Sequence, residues 1–303
     1  MLNYLGSLPG AVAQGLIWGI MAVGVYITYR ILDFADLTVD GSICTGAAVC
    51  TVLVTKGVNV WLAILAAFAA GMLAGLVTGL FHTLMGIPPI LSGILTQLML
   101  WSVNLKILGK ANMALPARNY GVLVAQLWVN RSILILVGFA AVLIGVLYWF
   151  FGTEIGAALR ATGCSQHMSR AQGINTNRAT VLALVISNGI VALSGALLAQ
   201  FLGNADINMG RGAIVIGLAA VIIGGAVFSR ICRNFAFRLL SVILGGVIYY
   251  LVYQTVIYLG LDTDLLKLLS ALVVAVFLAI PYWNRKLHER FGGKRVTGGD
   301  RNA

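Results

Sequence analysis

Residues 132–201 read SILILVGFAAVLIGVLYWFF, then GTEIGAALRATGCSQHMSRAQGINTNR, then ATVLALVISNGIVALSGALLAQF. The outer two stretches, 132–151 and 179–201, are each about as long as the ~20 apolar residues that cross a bilayer. Between them lies a polar connection, 152–178, holding Arg160, Arg170 and Arg178. Ala157–Ala161 and Ser165–Gln172 read as two short helices, broken at Gly163 and stopped at Gly173. Two crossings joined by short helices on a basic surface are the signature of an all-α polytopic membrane protein.

The rest of the chain repeats that pattern. Of 303 residues, 60% are hydrophobic and 10% charged, with a mean hydropathy of +0.97. Soluble chains carry about 25% charged residues, so a water-soluble enzyme, a disordered chain and a nucleic-acid-binding module are excluded. Nine apolar segments stand out, within a range of 8–10 transmembrane segments: 10–29, 38–55, 60–81, 88–107, 132–151, 179–201, 212–228, 239–259 and 265–283. Three are poor simple helices. Segment 38–55 opens on Thr38 and Asp40 and holds Gly41 and Gly46. Segment 88–107 begins Pro88-Pro89 and carries Ser92, Thr96, Gln97, Ser102 and Asn104. Segment 212–228 is short and holds Gly217, Gly224 and Gly225. Broken or re-entrant helices are expected there, tolerated only against protein or a water-filled cavity. Residues 1–283 form one transmembrane domain, and 284–303 a basic tail. The opening MLNYLGSLPG has no basic n-region, so the first apolar run is expected to remain as a span.

Charge sets the orientation. The net charge is +11, from 20 Lys and Arg against 9 Asp and Glu. In alternate connections, one set holds Arg30, Arg160, Arg170, Arg178, Arg230, Arg233, Arg238, Arg285, Lys286, Arg290, Lys294, Arg295 and Arg301. The other holds Lys56, Lys106, Lys110, Arg118, Arg131, Arg211 and Lys267. The positive-inside rule places the first set in the cytoplasm. The N-terminus is then outside and the C-terminus cytoplasmic, and the basic residues face anionic lipid rather than nucleic acid. Trp61, Trp149, Tyr282 and Trp283 sit at span ends as interfacial anchors.

Catalytic and metal motifs are missing. Cys44, Cys50, Cys164 and Cys232 have no metal-ligand spacing, and His82, His167 and His288 have no HExxH context. There is no GxSxG elbow. Gly109-Lys110 and Gly293-Lys294 lack the Ser or Thr of a phosphate loop. No metal or cofactor is expected on this chain, and any ATP and magnesium would sit on a partner.

Polar residues inside apolar segments are costly and face a bundle interior. Gly93, Gln97, Trp101 and Asn104 fall near one helix face, suited either to lining a solute pathway or to interhelical hydrogen bonds. Asp33, Asp36 and Asp40 recur at i, i+3 and i+7. They read as a gate or as helix N-caps. Gly41-Ser42 to Gly46 can alternatively offer N–H groups to a substrate carboxylate. Gly71, Gly75 and Gly79 form a small-residue stripe, for packing within the chain or for dimerisation. Two outer loops, 108–131 with Lys110, Arg118, Trp128 and Arg131, and the cluster Asn204, Asp206, Asn208 and Arg211, are docking surfaces or solvated turns.

The 152–178 connection and the following ALSGALLAQFLGNADINMGRGAIVIGLAAVIIGG resemble permease subunits of bacterial ABC importers of the branched-chain amino acid/ribose type. The matching features are Gly156, Leu159-Arg160-Ala161, Ala171-x-Gly173-Ile174-Asn175, Ser194-Gly195-Ala196 and Gly224-Gly225. FADLTVDGSICTGAAV (34–49) resembles the segment after the first span, closest to tryptophan/tyrosine-type permeases. Departure from the family pattern comes in AVFSRICRNFAFR (226–238), which is more basic. The resemblance implies two permease subunits, with a homodimer favoured, two cytoplasmic ATPase subunits and an extracytoplasmic solute-binding protein. It implies coupling through 154–173, with Glu154, Ile155, Leu159, Arg160, Ser165, Met168, Arg170, Gln172 and Gly173 as contacts. Polar residues at membrane depth make Asp40, Gly41, Ser42, Gly93, Gln97, Trp101 and Asn104 the candidate pathway residues. The cargo is expected to be an amino acid, aromatic or branched-chain, with a sugar or nucleoside as the alternative. An ion-coupled secondary transporter ranks below these, because the acids lie near segment ends, and an intramembrane enzyme ranks last.

Overall fold

In hydrocarbon a backbone must satisfy its own polar groups, and an apolar run does so as a helix. The computed structural model describes residues 2–228 and 234–258, and isolated helical positions at 272, 275, 276 and 279. The ninth apolar segment (265–283), the tail (284–303), Tyr282 and Trp283, and residues 229–233 of the basic connection lie outside the described residues or nearly so.

The first eight apolar segments are all helical. They are α1 (Leu2–Tyr26, extended by a π-helical turn Ile27–Ile31), α2 (Val39–Thr55), α3 (Val60–Thr83), α4 (Pro89–Leu108) and α5 (Val129–Gly152). After the short α6 (Glu154–Cys164) and α7 (Gln166–Ala171) come α8 (Thr176–Leu202), α9 (Ala213–Phe228) and α10 (Phe235–Tyr258). Among the described residues, six helices are long and apolar enough to cross a membrane, while α2 and α9 are shorter. The breaks expected in 38–55, 88–107 and 212–228 are not inside helices. α2, α4 and α9 run unbroken. The irregular backbone lies just before α2 and α9 instead. Two tripeptide strands, β1 (Asn112–Ala114) and β2 (Asn204–Asp206), pair antiparallel and tie the loops after α4 and α8 into one ribbon.

Helix faces sort by what they meet. α1, α2 and α8 are buried nearly all round. α4 and α5 turn Leu98, Met99, Leu134 and Val142 outward, as helices facing lipid or another subunit do. Trp61 and Trp149 are exposed at helix ends. The small-residue stripe resolves as packing within the chain. A Cβ on Gly71 or Gly75 would strike α8 at Asn188, Ala192 or Leu184, and one on Gly79 would press Val181. α8 is therefore seated on α3 with backbones nearly touching, which dispersion rewards where no hydrophobic effect operates between helices.

The same arrangement occurs twice, inverted. α1 packs on α10 as α8 packs on α3, with Gly15 and Gly19 against Val247 and Ile243. α1–α2–α3 and α8–α9–α10 are each a long helix, an extended arm, a short helix and a long helix. The arms share wording. Ala35-Asp36-Leu37 leads to Asp40-Gly41-Ser42-Ile43, and Ala205-Asp206-Ile207 to Arg211-Gly212-Ala213-Ile214. They also share a turn, since Asp36 Oδ1 accepts from Thr38 N at 2.9 Å and Asp206 Oδ1 from Asn208 N at 2.6 Å. α1 and α8 run antiparallel, with Ser187 donating to Gly24 O and Ser194 to Ile17 O. The arms therefore approach from opposite faces.

Candidate functional site

The two arms end where the short helices begin, and these helix starts meet. Ser42, in the first turn of α2, donates to Asn188 Oδ1 at 2.6 Å. Asn188 lies roughly 18 Å along α8 from Thr176 at 1.5 Å per residue, near the middle of that helix. Asp40 reaches across from α2 and accepts from Gly212 N at 3.0 Å and Ile214 N at 2.9 Å, the opening of α9. An anion at a helix N-terminus contributes up to ~2 kcal/mol when partly buried. Asp40 is thus an N-cap, as one of its two readings had it, but of a helix far along the chain rather than its own. Gly41 N and Ser42 N bond back to Thr38 O, so the Gly41–Gly46 turn does not hold them out for a carboxylate.

Beside this junction is a cavity of about 130 Å³, lined by Asp40, Gly41, Cys44, Gln97, Leu98, Trp101, Asn104, Ile207 and Arg211. Five of the seven pathway residues expected from the sequence, Asp40, Gly41, Gln97, Trp101 and Asn104, come together here from α2 and α4. Ser42 and Gly93 do not line it. Ser42 points to Asn188, and a Cβ on Gly93 would sit 2.7 Å from Leu37 N, so this glycine seats α4 on the first arm. Arg211, expected in an outer cluster, stands in the lining. Asn104 is 1% exposed; its Nδ2 donates to Gly41 O at 3.4 Å, and its Oδ1 has no partner.

A second polar cluster lies behind α2. Asn188 Nδ2 donates to Asp36 Oδ2 at 2.7 Å and to Leu184 O at 3.0 Å. Thr38 and Thr78 hydroxyls share a 2.7 Å hydrogen bond. Asp36, Thr38, Ser42, Thr78 and Asn188 are all buried, so the first arm is held at membrane depth by α3 and α8. Asp33 stays outside this cluster, exposed and with φ 56°.

The 153–175 connection forms the two helices its residues suggested, with the break moved. Ser165 caps α7, its Oγ accepting from Met168 N, and Thr153 and Asn175 cap α6 and α8. Gly163 lies inside α6, where a side chain would strike the Ile31 carbonyl. It permits close contact with the end of the first helix rather than breaking the chain. Gly173, at φ +82°, does stop the unit. Glu154, Ile155, Arg160, Ser165, Met168, Arg170, Gln172 and Gly173 are exposed together. Leu159 is the correction. At 1% exposure it is a core residue and cannot insert into another protein. Arg160 donates to Phe151 O at 3.0 Å and Arg170 to Thr176 Oγ1 at 2.8 Å. Both guanidinia therefore brace the unit, and Ile155 and Met168, at 58% and 66% exposure, are its apolar knobs.

The family model described as branched-chain amino acid transport system / permease component matches residues 8–280. The chain belongs to this permease family. It is 39% identical over 277 residues to the tyrosine transport system permease protein of Clostridioides difficile, covering 91% of both chains. It is 22% identical to the ribose import permease of Escherichia coli, covering 93% of this chain and 87% of that one. The fructose import permease of Bifidobacterium longum is 25% identical over 80% of this chain and 68% of its own. No solved structure matches. The permease is a multi-pass protein of the bacterial inner membrane, as its family and its apolar helices require.

Proposed function

We propose that this permease is the transmembrane subunit of an ATP-driven importer of an amino acid, with aromatic amino acids as the preferred cargo. The observation that carries the reading is the polar cleft at the junction of α2 and α9, in a chain 39% identical to a tyrosine transport permease. Carboxylate, amide, indole and guanidinium groups offer a zwitterionic aromatic solute an acid, a base and an aromatic face. ATP and magnesium would be bound by separate ATPase subunits. These would press on α6 and α7, and two copies of the permease would enclose the pathway. A solute-binding protein would deliver cargo to the ribbon face. Nine spans, with the N-terminus outside and the tail inside, fit the charge asymmetry.

Cys164 offers a test of sidedness. It is exposed at the end of α6, whereas Cys44 and Cys50 are buried. In a Cys232→Ser background, a membrane-impermeant maleimide is expected to label Cys164 in inside-out vesicles and not in intact spheroplasts. Labelling in intact spheroplasts overturns the orientation and the ATPase contact together.

The knobs test coupling. Apolar contacts dominate such a surface, because exposed ion pairs contribute only about 0–1 kcal/mol. An Ile155→Asp, Met168→Asp double variant is expected to keep its folded amount in the membrane and to lose ATP-dependent L-tyrosine uptake by roughly tenfold or more, the effect of ~1.4 kcal/mol or more at a protein interface. Concentrative uptake by the purified permease without any ATPase sinks the proposal.

A further inference from the structure

The inverted pair of arms places two residues in corresponding positions with opposite charge. Asp40 precedes Gly41 at the start of α2 as Arg211 precedes Gly212 at the start of α9. Both line the same cavity. Sites at the interface of inverted repeats, at the starts of interrupted helices, are where transporters hold small solutes. Here the two repeats contribute an acid and a base rather than two equal groups.

The free valences point the same way. Among the described residues the Arg211 guanidinium makes no ion pair or hydrogen bond; only its backbone N–H is bonded, to Asn208 O. Asp40 accepts from Gly212 N and Ile214 N, and Ala213 N–H also faces it; a carboxylate has about four acceptor sites, so at least one remains. Asn104 Oδ1 is buried and unpartnered beside it. An orphaned buried acceptor is costly, and a donor on a ligand would satisfy it. Two acceptors on one wall and a guanidinium on another match an ammonium and a carboxylate held one carbon apart.

Size supports the same assignment. A cavity of about 130 Å³ admits a small polar head group. Trp101 stands at the mouth with 46% of its surface exposed, an aromatic face left over for the side chain.

We propose that this cavity is the head-group site of an α-amino acid, with Arg211 binding the carboxylate, Asp40 and Asn104 Oδ1 binding the ammonium, and Trp101 covering an aromatic side chain. The assignment rests on the amino-acid reading above and adds polarity to it. Arg211 is its new residue, and the cargo is oriented with its carboxylate towards the second arm.

The test uses the full chain in nanodiscs and three probes: L-tyrosine, tyramine, which lacks the carboxylate, and 3-(4-hydroxyphenyl)propionate, which lacks the ammonium. Arg211→Gln is expected to weaken L-tyrosine binding about tenfold, the loss of one charge-assisted hydrogen bond, and to leave tyramine within twofold. Asp40→Asn, which keeps an acceptor for α9, is expected to weaken L-tyrosine and tyramine and to spare the propionate. Arg211→Lys should recover part of the first loss. Parallel loss of all three probes in either variant overturns the assignment, as does wild-type affinity in both. If the assembled transporter takes up D-ribose and not L-tyrosine, the amino-acid reading itself falls. If it takes up L-tyrosine while the variants fail to discriminate the probes, only the head-group site falls.

Discussion

Gly46→Leu and Gly195→Leu are each expected to abolish recovery of folded permease. α2 and α8 cross with backbone against backbone. A Cβ on Gly46 would overlap the Ala192 carbonyl, and one on Gly195 the Ile43 carbonyl. Overpacked side chains usually cost 1–3 kcal/mol because neighbours turn aside. A carbonyl inside a helix cannot turn aside, so the helices must separate. Separation would pull Ser42 from Asn188 and Asp40 from the start of α9, since those bonds hang on the same contact. The summed loss approaches the whole ~5–15 kcal/mol stability of a typical domain. Size-exclusion chromatography of detergent-solubilised membranes should show loss of the monodisperse peak. Gly145→Ala is the matched control. Nothing lies within 4 Å of its added Cβ on the exposed side of α5, and a helical Gly→Ala change is neutral or favourable by ~0.5–1 kcal/mol. A normal peak for Gly46→Leu would show that α2 and α8 are not seated as described.

Much of this architecture is legible in the residues. Uninterrupted apolar length locates eight helices, since hydrocarbon leaves the backbone no other choice. Gly173 is readable as a stop because a left-handed position favours glycine. The Gln97, Trp101, Asn104 stripe is readable from helical periodicity alone. Other features are set by tertiary docking. Periodicity shows that α2 is apolar, not that it starts halfway along α8; that depth is fixed by Asp36 and Ser42 bonding to Asn188. Gly163 looks like punctuation, yet its use is the close approach to Ile31. Leu159 sits on a helix of only eleven residues, too short for periodicity to separate its inner and outer faces. Arg211 lies outside any apolar segment and so reads as loop. A comparison of the chain with itself would have found it, because ADLTVDGSI and ADINMGRGAI align through one inserted residue.

Asn188→Leu is expected to destabilise the permease by about 3 kcal/mol, the scale of a buried hydrogen-bonded charge that loses its partner. Asn188 uses its whole amide. Oδ1 accepts from Ser42, and Nδ2 donates to Asp36 and to the Leu184 carbonyl. Leucine has a similar branched shape and offers none of these bonds, so Asp36 would keep only its bonds from Thr38. Asn188→Asp should be worse, because it sets a second carboxylate within hydrogen-bond distance of the first and like charges in a buried site repel. The decisive variant exchanges the pair. In Asp36→Asn with Asn188→Asp, the amide at 36 can donate to the carboxylate at 188, which still accepts from Ser42, while the amide oxygen still accepts from Thr38 N. A double-mutant cycle on thermal unfolding in detergent should therefore show coupling well above the ~0.3–0.5 kcal/mol seen between independent sites. Additive losses would mean that the arm is held by its packing alone, and that the first short helix owes its depth in the membrane to Gly46 and not to this carboxylate–amide pair.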